Sequence, residues 1–197
     1  MVLTKDEIVK DEILASAQRL FQQYGIRKTT MEDIAKNICK GKSTLYYYYC
    51  SKEEIFEAVV RKEMEEVFTK TQQAVKHAVS AEEKLIAYSV TKMQTLRQMS
   101  NLYQMVRLEM LENPPCYHHL HKEFETREID LITQILEFGV EQNEFAARIQ
   151  HQLDMLPFII LSSLKAFEFD LFTENRFPGI ENRIAIIVDL LLKGLKK

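Results

Sequence analysis

Residues 29–55, TTMEDIAKNICKGKSTLYYYYCSKEEI, hold two short helical patterns around a break, then four consecutive tyrosines and a fresh helix start. Thr30 offers a side-chain oxygen to the first amides of a helix, and Asp33 three residues later is its reciprocal partner, a capping box with Asp in place of Glu. The box predicts a helix from Met31. Met31, Ile34, Ala35 and Ile38 recur at helical spacing and give it one apolar face about two turns long. Lys40 and Gly41 interrupt the pattern, and residues 42–49 can form a second helix. Lys42, Ser43 and Thr44 place one cation and two hydroxyls at its start, where free amides and the positive end of the helix dipole favour phosphate. Leu45, its lone aliphatic residue, should pin it to a core. The tyrosines spread around most of the circumference, so not all can be buried. Tyr49 is expected inside, with Tyr46 and Tyr47 outside, their phenols able to donate to phosphates or base edges. Ser51 with Glu54 forms a capping box for the next helix, with Lys52 in its first turn. Such a pair of short helices is the pattern of a helix-turn-helix reader of DNA.

Thr29-Thr30, Asp33-Ile34-Ala35, Thr44-Leu45-Tyr46 and Ser51-Lys52-Glu53-Glu54 follow one another in an order and spacing that resemble the DNA-binding segment of the TetR transcriptional regulators. The resemblance covers roughly the first quarter of the chain. It implies that Thr30, Lys42, Ser43, Thr44, Tyr46, Tyr47 and Lys52 contact an operator, mostly at its phosphates, and Lys40 in the turn joins them. The family usually opens this turn with glycine and caps the second helix with Ser or Thr, whereas here Cys39 and Gly41 stand there. A left-handed cysteine would cost about 1–2 kcal/mol, so the turn is expected to be redrawn around Gly41. The fold implied is all-α, with about nine helices. Residues 1–50 would form a three-helix DNA-binding domain, and residues 51–197 a helical effector-binding and dimerisation domain.

The chain of 197 residues, 46% of them hydrophobic, is long enough to bury about 70% of its unfolded surface. Its formal net charge of -3 and pI near 6.0 are low for a nucleic-acid binder. The distribution resolves the conflict: residues 25–52 carry six cations against two anions, and the acid lies beyond. The N-terminus mixes charges through its first dozen residues and does not read as a secretory signal. The longest uncharged run of the second half, residues 155–164, is too short to span a bilayer. A cytoplasmic protein without membrane contact is expected. Cys39, Cys50 and Cys116 form no disulfide framework or metal spacing. Buried reduced thiols are expected, with a redox role for Cys39 and Cys50 beside the second helix as the alternative.

Before the motif, Ile13, Ala17, Leu20, Phe21 and Tyr24 form a helical stripe that ends at Gly25, a C-cap glycine. Lys5 and Lys10 near its start meet either the DNA backbone or solvent alone. After it, a helix is expected from Lys52 to about His77, long enough to transmit movement from the DNA-binding head. Ser80 and Glu83 cap the next. A further segment begins at Asn101 and ends at Asn113-Pro114-Pro115. One long helix is expected over 117–142, closed by a left-handed Asn143. Two strongly apolar patterns follow, about 146–173, begun or kinked at Pro157, and 181–196.

These last patterns bear on assembly. Phe158, Leu161, Lys165, Phe169, Ile184, Ile187, Val188 and Leu191 give more apolar surface than one domain needs, which marks an interface. The resemblance implies a homodimer whose twinned recognition helices lie about 34–36 Å apart on a near-palindromic site. Met93, Leu96, Tyr103, Arg107, Met110 and Phe124 are candidates for an apolar cavity holding a small hydrophobic or amphipathic effector, methionine suiting a wall that adapts its shape. From the residues alone the same stripe reads more readily as plain core, and it is the resemblance that implies an effector. Such an effector would release a repressor from its operator. His118 and His121 share a helix face near Cys116, which leaves a metal-responsive regulator as an alternative, although no metal or other cofactor is expected. No phosphate loop, nucleophile elbow or catalytic carboxylate pair is present, so an enzyme is not expected. An all-helical interaction adaptor would explain the amphipathic helices but not exposed tyrosines beside a basic turn.

Overall fold

The computed structural model describes residues 4–99, 114–170, 177 and 179–195, with 114–118 and 181 described by their backbone alone. Among these there are eight α-helices and no strand: α1 (Lys5–Tyr24), α2 (Met31–Asn37), α3 (Lys42–Tyr48), α4 (Lys52–His77), α5 (Ala81–Gln98), α6 (Pro114–Glu141), α7 (Leu156–Phe169) and α8 (Ile184–Leu192). Short 3-10 turns cover Ala147–Gln152 and Ile180–Asn182. The described residues fall into two compact units that divide within α4, after Met64; the start of α6 belongs with the first.

The first unit is built from local caps. Thr4 and Glu7 form a capping box that starts α1, and Gly25 (φ 80°) ends it by donating its N–H to the Phe21 carbonyl. Thr30 and Asp33 form the expected box at α2. Ile13, Ala17 and Phe21 of α1, Ile34 and Ala35 of α2, Leu45 of α3, and Ile55, Phe56, Val59 and Val60 of α4 are buried. Phe21 and Phe56 meet edge to face at 5.6 Å. The Lys62 ammonium, 2.7 Å from Asp11 Oδ1, and the Gln18 amide, donating to Glu63, join α1 to α4.

The turn between α2 and α3 differs from expectation. Gly41 has an ordinary extended conformation (φ -73°) and is the N-cap of α3, while Cys39 takes the left-handed one (φ 53°). Hydrogen bonding explains it. The Cys39 N–H donates to the Lys36 carbonyl at 3.1 Å and the Lys40 N–H to the Ala35 carbonyl at 3.0 Å. These two bonds form a Schellman closure, which satisfies the terminal carbonyls of α2 only if the residue after the C-cap is left-handed.

In the second unit, Ser80 and Glu83 form the box that starts α5. α5 packs against both α7 and α8. Val75, Leu85, Tyr88, Ile132, Ile135, Leu136, Phe145, Leu161 and Leu192 belong to one buried cluster. Asn143 (φ 60°) closes α6 as expected. The helix expected over 146–173 is instead a 3-10 turn followed by α7, with Pro157 at the second position of α7, where its missing N–H is tolerated. The segment expected from Asn101 to the two prolines lies mostly outside the described residues. No helix among those described is long and apolar enough to cross a membrane.

Candidate nucleic-acid interface

α3 has seven residues and no side-chain cap at its start, so its placement depends on anchors. Leu45 is fully buried and Tyr49, the C-cap, nearly so. Their burial leaves Lys40, Gly41, Lys42 and Ser43 exposed, with Thr44 half-buried. Tyr46 and Tyr47 are 48% and 76% exposed, high values for such large side chains. The Lys42 ammonium lies 5.8 Å from the centre of the Tyr46 ring, one helical turn away, at the outer limit of a cation–π contact. Lys52, in the first turn of α4, is half-buried. The capping of α4 departs slightly from a full box: Ser51 Oγ accepts from the Glu54 N–H, but Glu54 accepts from the Cys50 N–H instead.

Thr30 is exposed, yet its hydroxyl serves α2. It donates to Asp33 Oδ2 at 2.7 Å and accepts from the Asp33 N–H at 3.2 Å. Hydrogen bonds from the Thr30 hydroxyl and then its backbone N–H hold the Asp33 pKa below the usual carboxylate value. A hydroxyl has one proton to give, and here a carboxylate has it, so the structure makes Thr30 a cap. Cys39 and Cys50 are both exposed, contrary to the expectation of burial. Cys39 closes α2 and Cys50 follows the C-cap of α3, so both lie outside the helices whose inner stripes are buried.

In the second unit the candidate effector residues are only partly placed. Met93 and Leu96 are buried in a cluster with Val67, Ile180 and Ile184. Phe124 is buried, with the Arg127 guanidinium 4.9 Å from its ring centre and in turn paired with both Glu65 oxygens at 2.6 and 2.8 Å. Tyr103, Arg107 and Met110 lie outside the described residues, as do the side chains of Cys116 and His118. Among described residues no group of three or more metal-ligating side chains occurs.

A polar cluster in this unit escaped the sequence reading. Lys92 Nζ lies 2.6 Å from Glu128 Oε1 and 2.9 Å from Glu168 Oε1, and the Tyr88 hydroxyl donates to Glu128 Oε1 at 2.9 Å. Burial alone would lower the Lys92 pKa, but Glu168, Tyr88 and Glu128 together lift it well above the ordinary lysine value. Burial also pushes the Tyr88 phenol well up. The signal was Lys92 itself, in line with Tyr88 and Leu96 at four-residue spacing on the buried face of α5.

The candidate interface residues divide. Phe158, Phe169 and Leu191 are exposed, and Ile187 and Val188 are half-buried against the body's clusters. Leu161 and Ile184 are fully buried within the chain, so they are core and not surface. Lys165 pairs with Glu125 at 2.6 Å within the same chain. The outward stripe instead includes Met155, Ile159, Ile186 and Leu190, all exposed. Period alone could not separate the two buried positions from the exposed ones because α8, IAIIVDLLL, is apolar on nearly every side.

Residues 13–59 match the family model of bacterial regulatory proteins, tetR family. An uncharacterised HTH-type transcriptional regulator of Bacillus subtilis is 25% identical over 138 residues, 68% of this chain and 66% of that protein. IcaR of Staphylococcus epidermidis, the HTH-type negative transcriptional regulator of the biofilm operon icaADBC, is 42% identical over 60 residues, 30% of each protein. The match thus spans just under two-thirds of the first relative and less than one-third of the second. The crystal structure of a transcriptional regulator from Cytophaga hutchinsonii superposes with a TM-score of 0.73 at 26% identity, covering 95% of this chain and 98% of that one. The resemblance to TetR regulators, first visible in the residues around α2 and α3, holds in the family model and in the fold.

Proposed function

From a head of the tetR type, we propose that this protein is a sequence-specific DNA-binding transcriptional regulator, a homodimer that represses from a near-palindromic operator in the cytoplasm. Residues 1–50 read the DNA, and residues 51–197 bind the effector and pair the subunits. The carrying observation is the outer face of α3. Lys42, Ser43, Tyr46 and Tyr47 stand exposed on a short helix held from within by Leu45 and Tyr49, inside the segment that matches the family model. Lys40, Thr44 and Lys52 flank them and supply further phosphate contacts, while Thr30 holds the start of α2. The Staphylococcus epidermidis relative is a negative transcriptional regulator, which supports repression as the sign here. A small hydrophobic or amphipathic effector bound beside Met93, Leu96 and Phe124 releases the operator.

The test is a salt titration of binding to duplexes selected from a random pool. The logarithm of affinity should fall linearly with the logarithm of salt, with a slope of about -0.9 per phosphate neutralised. Lys42→Ala, which removes one cation from each subunit of the dimer, should make the slope shallower by about two and weaken all duplexes alike. Duplex binding that ignores salt, or a Lys42→Ala protein indistinguishable from the parent, defeats the proposal.

A further inference from the structure

We infer that Asp6 and Tyr48 form a strut that sets the exposed tyrosines of α3 for sequence-selective contact, an inference that rests on the DNA-binding reading above. The Tyr48 hydroxyl donates to Asp6 Oδ1 at 2.8 Å, which joins the last residue of α3 to the first turn of α1 across 42 residues of sequence. Tyr47 packs edge-on against the Tyr48 ring, with centroids 4.8 Å apart and planes at 89°, while remaining mostly exposed. Asp6 therefore fixes Tyr48, and the Tyr48 ring walls one side of Tyr47.

The four tyrosines have three uses. Tyr49 is core, Tyr48 is the strut, and Tyr46 and Tyr47 face outward. A helix this short, without a side-chain cap, is held from inside by Leu45 and Tyr49, and the Asp6 bond adds a third point at its C-terminal end. A side chain already confined to its bound rotamer loses less freedom on binding than one that must be ordered then. The acceptor also suits the donor: the hydrogen bond from Tyr48 to the Asp6 carboxylate keeps the phenol protonated. Its single donor stays within the chain, so Tyr48 acts on DNA only through Tyr47 and the set of α3. It is a positioning residue.

The experiment compares the full-length protein with Tyr48→Phe, Asp6→Ala, Asp6→Asn and the Tyr48→Phe/Asp6→Ala pair, on a selected operator and on a random-sequence duplex at the same salt. Asp6→Ala and Asp6→Asn remove the same charge, but only Asn keeps an acceptor. Tyr48→Phe should lower operator affinity about threefold to tenfold and leave random-duplex affinity and its salt slope unchanged, so that selectivity falls. Asp6→Ala should lose the same selectivity, Asp6→Asn should keep it, and the double variant should be no worse than either single. The inference is overturned by Tyr48→Phe with parental selectivity, by losses that multiply in the double variant, or by operator and random duplex weakening together, as lost folding alone would cause. A parent protein that binds no duplex sinks the DNA-binding reading itself, whereas a binding parent with an indifferent Tyr48→Phe sinks only the strut.

Discussion

Cys39 occupies the left-handed region, where a β-carbon crowds the following carbonyl at a cost of about 1–2 kcal/mol. The Schellman bonds from Cys39 and Lys40 tolerate that cost because without them two α2 carbonyls would lack partners. Cys39→Gly should remove the strain while enlarging the freedom of the unfolded chain, which offsets roughly 0.4–1 kcal/mol. The expected net is a gain of about 0.5–1 kcal/mol, read as a higher urea midpoint with an unchanged m-value. A lower midpoint would show that the cysteine side chain makes a contribution of its own. Asn143 closes α6 with the same pattern, its N–H donating to Val140 and that of Glu144 to Gly139. That closure was legible in the sequence because asparagine tolerates the left-handed region. The one at Cys39 was not, because cysteine gives no such sign and Gly41, two residues on, offered a cheaper place for the turn. Leu45 and Tyr49 were legible as anchors from helical phase alone. The Asp6–Tyr48 bond was not, since nothing local connects residues 42 positions apart.

Among elements, those whose Thr or Ser cap was read in the sequence were placed best, whereas the Thr4–Glu7 box that starts α1 went unread. α2, α4 and α5 begin where Thr30, Ser51 and Ser80 predict, and α4 runs to His77 without interruption. α7 and α8 were read least well. With few polar residues to mark an outer face, period could not distinguish buried Leu161 and Ile184 from exposed Ile159 and Ile186. α6 carries a different tension, a glycine inside a 28-residue helix. Replacing such a glycine by alanine ordinarily gains up to about 1 kcal/mol of helix stability. At Gly139 a β-carbon would run into the Phe145 ring, which is buried, and would lie 2.8 Å from the Ala81 β-carbon at the start of α5. Overpacking of this kind costs about 1–3 kcal/mol and should win. Gly139→Ala is therefore expected to lower stability by about 1–2 kcal/mol in urea unfolding. A stabilised variant would mean that Phe145 has room to move.

For the whole molecule, the proposed function depends on pairing, because one short recognition helix makes few contacts and a twofold site doubles them. α7 and α8 both pack on α5, yet leave Phe158, Ile159, Phe169, Ile186, Leu190 and Leu191 exposed, with Leu191 64% so. An apolar stripe of this kind next to a filled core is the surface a second copy would cover. Carboxylates there test the idea without disturbing the interior, since Leu190 and Leu191 contribute little to it. Leu190→Glu/Leu191→Glu should halve the mass seen by light scattering while the helical circular dichroism stays at the parental level. Operator binding should then fall roughly 10²- to 10⁴-fold, because the second half-site is no longer met at the effective concentration a linked partner provides. Binding to a duplex that carries a single half-site should be unchanged, since α3 is untouched. That contrast separates lost pairing from lost folding. A double variant that keeps the parental mass would place the dimer surface elsewhere, and one that is monomeric yet binds the full operator as tightly as the parent would remove pairing from the mechanism.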